Sequence, residues 1–309
     1  MILYIFVCIL LSAVLGGAYF AYRRAFYSPM EGRGEVKPIP NPAYDPYRPE
    51  MRRIYRVMAD RPCEWVSITS YDGLTLFGRY YHVKDGAPLD IGFHGYKSSA
   101  IVDFSGGSEL CFEMGHNLLL VDQRAHGKSQ GRTICFGLKE RHDLLKWVEY
   151  AIARFGKGTD IYLYGVSMGG ATVLMSSGLE LPQNVKAIIA DCPYANAMDV
   201  IMDVGRKELP IPMWMMRPFI ILGARIFGGF DVNETDAIAA VKNTKVPILI
   251  IHGLADTFVP CAMSEAVEKA NPDMVKRVTI PEAEHGISYL VDTDAYKEAV
   301  YKFLHNLNQ

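Results

Sequence analysis

Ser167 stands in Gly165-Val166-Ser167-Met168-Gly169, and Asp256 and then His285 each follow a later apolar run. Serine, acid and histidine in that order could carry out nucleophilic acyl transfer. A serine hydroxyl is a weak nucleophile at neutral pH and needs a base to accept its proton as it attacks. Histidine suits the task because its ordinary pKa lies near neutrality. A carboxylate behind it, here Asp256, would fix the tautomer and stabilise the imidazolium. The negative oxygen of the tetrahedral intermediate needs preorganised N–H donors, one of which is worth about 2.7–4 kcal/mol. The backbone N–H of Met168, next after the serine, is one candidate. The loop Ile91-Gly92-Phe93-His94-Gly95-Tyr96 is placed to supply the other, assigned to Tyr96.

These residues need elements that hold them. Ile161-Tyr162-Leu163-Tyr164 is short, apolar and rich in β-formers, and Gly170 to Met175 can continue as a helix. The serine therefore sits on a sharp strand-to-helix turn, where flanking glycines avoid collision with the neighbouring strand and helix. Val246 to Gly253 reads as a strand ending in the loop Leu254 to Pro260, which carries Asp256. Val275 to Ile280 reads as the next strand, followed by Pro281 to Gly286 with His285. Further strands are expected near 90–94, 117–122 and 186–191, with helical patterns near 105–115, 137–155, 168–180 and 262–271. Trp65 to Tyr81 alternates around Tyr71-Asp72-Gly73 as a hairpin, and Ile287 to Leu307 closes the chain mostly as a helix. Alternating strands and helices predict an eight-stranded, mostly parallel sheet covered on both faces.

On His94-Gly95-Tyr96, Asp122-Gln123-Arg124-Ala125-His126-Gly127-Lys128-Ser129, the turn around Ser167, the Asp256 loop and His285-Gly286, the chain resembles the α/β-hydrolases. The likeness is to the serine-aminopeptidase-like superfamily, close to its membrane-anchored esterases, thioesterases and lipases, over about residues 62–306. The resemblance implies the α/β-hydrolase fold and the Ser167, Asp256, His285 triad, and leaves the substrate open among esters, thioesters, acylglycerols and peptides. Some members of the fold place the acid after an earlier strand, which makes Asp191 an alternative to Asp256.

The remaining signals narrow the chemistry. His94 and His252 each precede a glycine at a strand end and read as braces for loops. His126 lies in the Asp122 to Ser129 segment, whose Asp122 and Arg124 read as a loop-fixing pair. Gly127-Lys128-Ser129 resembles the end of a phosphate-binding loop, but that motif needs a glycine where Asp122 stands. No H-E-x-x-H and no paired C-x-x-C occur, so neither metal nor other cofactor is expected. The chain carries 32 Lys and Arg against 34 Asp and Glu, a formal charge of −2. Residues 1–61 hold nine basic and five acidic side chains, +4, which leaves −6 for the rest. That suits a basic stretch beside anionic lipid, and no basic face suggests nucleic acid.

Met1 to Tyr22 contains no charged side chain. As a helix, 22 residues rise about 33 Å, enough for a hydrocarbon core of about 30 Å. The reading is a retained transmembrane anchor over 1–22; a cleaved signal peptide would carry a basic start and a shorter apolar core. Arg23, Arg24, Arg33 and Lys37 follow directly, which places the catalytic domain on the cytoplasmic side. The six cysteines, Cys8 within the apolar segment and five scattered, suit reduced thiols. Residues 23–61 read as a juxtamembrane linker, with six prolines keeping Ser28 to Glu50 extended, and 62–309 as the catalytic domain. Between the strands near 191 and 246, about 196–232 exceed what one crossover helix needs and suggest a small helical lid. Its apolar centre includes Trp214, Met215, Met216 and Phe219, which are taken to shape an acyl or aromatic pocket. The expected partners are then a small lipophilic ester or thioester and a membrane. A peptidase would want carboxylates near the pocket, and the lid offers Asp199, Asp203, Glu208 and Asp231. A membrane-tethered binding module without chemistry is the reading of a different class.

Overall fold

The computed structural model describes residues 1–33 and 41–307. The chain opens with helix α1 (Ile2–Ala25), then a 3-10 turn (Pro42–Tyr47) leads into α2 (Arg48–Asp60). Strands β1 (Glu64–Thr69) and β2 (Thr75–Tyr81) form the hairpin, and β3 (Leu89–Phe93), α3 (Ala100–Glu113), β4 (Asn117–Asp122) and α4 (Glu140–Phe155) follow. Next come β5 (Ile161–Val166), α5 (Met168–Ser176) and β6 (Val185–Asp191). The insertion holds α6 (Ala197–Glu208), α7 (Met213–Gly223) and α8 (Ala237–Val241). The chain then runs through β7 (Ile248–Gly253), α9 (Ala262–Ala270), β8 (Val275–Ile280), α10 (Ser288–Val291) and α11 (Thr293–Asn306).

The strands form one eight-stranded sheet in the order β1-β2-β4-β3-β5-β6-β7-β8. Only β1–β2 and β2–β4 are antiparallel; the other neighbours are parallel. The central strands are apolar on both faces, as a sheet covered twice must be. Their pleat divides the core in two. Ile188 and Ala190 of β6, with Ile248 and Ile250 of β7, join the apolar cluster that contains α4, α5 and α9 residues. Ala187, Ile189, Leu249 and Ile251 point the other way and pack with Leu110, Tyr296, Val300 and Leu304 of α3 and α11.

Two expectations need correction. The segment from Ser28 to Glu50 is not extended throughout, because Pro42–Tyr47 is a 3-10 turn and Arg48 begins a helix. Pro49 does not prevent this, since it occupies the first turn, where its missing N–H would have no partner anyway. The helix buries Ile54 and Met58, and Met58 packs with Phe104 and Cys111 of α3. Pro38 and Pro40 lie outside the described residues. Secondly, Asp122 and Arg124 do not pair with each other. Arg124 is buried and forks onto Asp143 (2.6 and 2.7 Å) and Asp72 (2.9 and 3.0 Å), while Asp122 meets Arg79 at 3.2 Å and accepts the Lys128 N–H at 3.0 Å. The chain turns sharply after β4, so the two side chains leave in different directions and fix the loop separately.

Helix α1 is docked along its C-terminal half. Residues 2–13 are exposed on all sides, whereas Ala18, Ala21 and Tyr22 are buried and Phe26 is fully enclosed. The buried set recurs at three- and four-residue spacing, the mark of a helix with one packed face. Its partner is α7, in the expected lid.

Candidate active site

Ser167 links β5 to α5 with φ +55°, a left-handed conformation that a non-glycine residue adopts only when its surroundings impose it. Those surroundings are tight. A Cβ at Gly169 would lie 1.7 Å from the Phe93 carbonyl oxygen, and one at Gly165 would lie 2.2 Å from that of Gly169. Both positions therefore require glycine, and the serine side chain is turned out to a half-buried surface.

His285, after β8, sits across from it. Its Nε2 lies 2.8 Å from Ser167 Oγ and its Nδ1 lies 2.7 Å from Asp256 Oδ2. The carboxylate can only accept, so Nδ1 carries the proton and Nε2 is left to accept from the serine hydroxyl. Burial alone would raise the Asp256 pKa. Hydrogen bonds from His252 and His285 and from the Val259 N–H overcome it, and the carboxyl is held below the usual carboxylate range. Its Oδ1 accepts from the N–H groups of Phe258 (2.9 Å) and Val259 (2.7 Å). Asp191 occupies the other candidate position at the end of β6, but it is not bonded to His285. Its carbonyl accepts from the Ser167 N–H at 2.8 Å, and burial pushes its carboxyl up to about 6.

Beside the serine runs the loop His94 to Lys97. A Cβ at Gly95 would lie 3.3 Å from Ser167 Cβ, so the loop passes directly against it. Met168 is the first residue of α5, and its N–H is one of the donors a helix start leaves without an internal partner. The loop is braced by the histidines expected to do so. His94 donates from Nδ1 to the Gly95 carbonyl (2.8 Å) and accepts the Gln123 N–H at Nε2 (3.1 Å). His126 accepts the Lys97 N–H at Nε2 (3.0 Å) and donates from Nδ1 to the Arg124 carbonyl (2.9 Å). Burial, and then the neighbouring His94, push the His126 pKa well below its ordinary value, in keeping with this neutral tautomer. Asp103 accepts the Gly95 N–H at 2.6 Å.

A sequence profile of the alpha/beta hydrolase fold matches residues 93–235. An esterase of Pyrococcus furiosus superposes with a TM-score of 0.66 at 23% identity, covering 81% of this chain and 93% of that one. The chain has the α/β-hydrolase fold. The uncharacterized protein YqkD of Bacillus subtilis is 31% identical over 202 residues, which are 64% of this chain and 65% of that protein. The thiohydrolase aneE of Aspergillus aculeatus is 29% identical over 135 residues, 43% of this chain and 42% of its own.

Sequence reasoning missed several residues that shape this α/β-hydrolase site. Tyr44, in the supposed linker, is buried and donates its hydroxyl to the His285 carbonyl at 2.5 Å. Nothing in the sequence connects two residues 241 positions apart through one carbonyl. Glu284 accepts from the Thr257 N–H (3.0 Å), the Thr257 hydroxyl (2.7 Å) and the His285 N–H (3.2 Å), tying the acid loop to the histidine loop. His252 braces its loop as expected, with a further consequence. Its Nε2 faces both the Val259 carbonyl (3.0 Å) and Asp256 Oδ2 (3.2 Å), so that nitrogen carries a proton and steadies the carboxylate. Cys192 Sγ lies 3.9 Å from His285 Nε2. Cys192, Asp256 and His285 thus bring three potential metal-ligand atoms within 4.8 Å. Both imidazole nitrogens are already engaged, however, and burial, then the nearby Asp191, push the thiol well up, away from the thiolate a metal needs.

The structure brings together Ser167, Asp256, His285, Tyr96 and Met168. Three of the four expected lid residues face elsewhere. Phe219 packs its ring on Gly17 of α1, Met216 is buried, and Met215 and Trp214 are exposed, Trp214 by 74%. The Phe219 side of α7, which the sequence offered to a substrate, is used by α1.

Proposed function

We propose that the protein is a serine hydrolase that cleaves carboxylic esters or thioesters of lipophilic acids through an acyl-enzyme on Ser167. The observation that carries this reading is the unbroken sequence of contacts from Ser167 Oγ to His285 (2.8 Å) to Asp256 (2.7 Å). In that arrangement Ser167 Oγ attacks the acyl carbon as its proton passes to His285 Nε2. Asp256 stabilises the imidazolium from behind, and the N–H groups of Tyr96 and Met168 donate hydrogen bonds to the developing oxyanion. Collapse of the intermediate expels an alcohol or thiol, which takes the proton from His285. A water molecule, activated by the same imidazole, then releases the acid and restores Ser167.

The same reading retains α1 as a membrane anchor, with its catalytic domain on the side of Arg23 and Arg24. The helix has mean hydropathy 2.3 over its most apolar window. What favours retention over cleavage is that Ala21, Tyr22 and Phe26 belong to the main apolar core of the domain.

The test is fluorophosphonate labelling of the full chain, wild type beside Ser167→Ala, followed by turnover of p-nitrophenyl esters and acyl-CoA thioesters of increasing chain length. Labelling is expected in the wild type and absent in the variant, with a preference for longer acyl groups. A folded wild type that does not label removes the proposal.

A further inference from the structure

Helices α1 and α7 run in the same direction. Gly17 faces the Phe219 ring, the Ala18 carbonyl and Tyr22 face Gly223, and the Tyr19 and Tyr22 rings meet Phe227 edge-on and tilted, at 5.2 and 5.8 Å. Residue numbers thus rise together along both partners, and the N-terminal end of α7 points back along α1 toward Ile2. Trp214 precedes Phe219 by five residues, about 7.5 Å of helix, which sets it level with about Ser12 of α1.

That placement conflicts with any picture of α1 crossing a membrane while the domain stays in water. The part of α1 free of the domain, residues 2–13, rises only about 18 Å, whereas the hydrocarbon layer is about 30 Å thick. A span needs the docked turns of α1 as well, and those turns carry α7 with them. The surface of α7 suits that position. Ile211, just before the helix, and Trp214, Met215 and Pro218 on it are exposed. Met215 and Pro218 adjoin the α1 contact on one side, with Trp214 beyond them. The cation of this helix, Arg217, is exposed about 60° around the axis from Trp214 and three residues nearer the C-terminal end, from where its long side chain can extend toward the headgroups. Arg24, at the C-terminal end of α1, pairs with Glu208 at the end of α6 at 2.9 Å, and Arg225, just after α7, pairs with Asp231.

We propose that this joint apolar surface is seated in a phospholipid bilayer: the N-terminal half of α7, with Ile211, Trp214 and Met215, enters the hydrocarbon layer beside α1. The inference rests on the reading of α1 as a membrane helix and deepens it. The domain is then partly sunk in the lipid rather than tethered above it. A cleft of about 520 Å³ adjoins this end of α7, lined among others by Met202, Leu209, Ile211, Met213 and Trp214 with Arg206 at its edge, and in the proposed seating it faces the acyl chains. The substrate class that follows is an acyl ester or thioester already dissolved in the membrane.

Trp214 is its own probe. The full chain is reconstituted into phosphatidylcholine–phosphatidylglycerol vesicles with and without brominated acyl chains, and flotation with the vesicles is scored alongside tryptophan emission. The other two tryptophans serve as internal controls, Trp147 being buried in the core. The expected result is a bromolipid-dependent loss of emission in the wild type that the Trp214→Phe chain lacks, with both chains floating. Flotation with no quenching, or with equal quenching in both chains, overturns the immersion of α7 and leaves the anchor standing. Failure to float overturns the anchor and this inference with it. Neither outcome bears on fluorophosphonate labelling at Ser167, which tests the chemistry separately.

Discussion

Asp191 ends β6 with a carboxyl oxygen, Oδ1, that is buried and meets no hydrogen-bond partner among the described residues. Burial is the main cause that lifts its pKa from 3.8 to about 6, against the opposing pull of His252. The native state then holds a proton between about pH 4 and 6 that the unfolded chain has released. Stability from this group is therefore complete below pH 4, declines as pH rises through that window, and stays reduced above it. A rise of about two units corresponds to a penalty on the order of 2–3 kcal/mol at neutral pH. Asp191→Asn should be more stable relative to wild type at pH 8 than at pH 4 by an amount of that order, measured by urea unfolding at both pH values; an equal effect at the two would show that the carboxyl ionises freely. Asp256 behaves oppositely, since its lowered pKa contributes stability that is lost on acidification. The two acids were hard to rank from the chain because both follow a parallel strand. What separates them is the hydrogen bond to His285, a contact between β7 and β8 loops that spacing alone does not encode. The serine was legible for the opposite reason, since its strained turn needs glycines immediately beside it in sequence.

At the scale of elements, the turn at Ser167 is set by contacts of backbone with backbone. Gly169 faces the carbonyl of Phe93 at a distance no side chain can occupy, and neither wall is a flexible group that could move aside. Gly169→Ala should abolish the soluble, cooperatively unfolding protein. Gly107→Ala, inside α3 with only a Phe104 ring carbon at 3.7 Å, should instead gain roughly 0.5–1 kcal/mol; thermal melts of the two variants make the comparison. The parallel strands were readable because they are buried on both faces and bounded by turn residues. Helix α2 was not, because six prolines between residues 29 and 49 argue for extended chain when counted. Their positions matter more than their number. Pro42 and Pro49 stand at the starts of a 3-10 turn and a helix, where a proline is favoured.

For the whole molecule, the relation least visible in the chain is the docking of α1 on α7. A segment apolar on every side gives no periodicity from which to choose the face that packs, and the glycines that permit contact, Gly17 and Gly223, are far apart in sequence. The docking also reaches the catalytic loop. Tyr96, whose N–H is the proposed oxyanion donor, stacks its ring on Phe136 at 5.1 Å and donates its hydroxyl to the carbonyl of Ala25, the last residue of α1, at 2.7 Å. On the proposed membrane seating of α1, a rod and a hinge joined by one hydroxyl make a lever, with bilayer thickness as the load. In thin and thick phosphatidylcholine vesicles, turnover of a water-soluble ester by the wild type should differ, while Tyr96→Phe, which keeps the ring and the N–H, should flatten that dependence. On that proposal the protein has no single specific activity: the lipid or detergent in which it is prepared becomes one of its reagents.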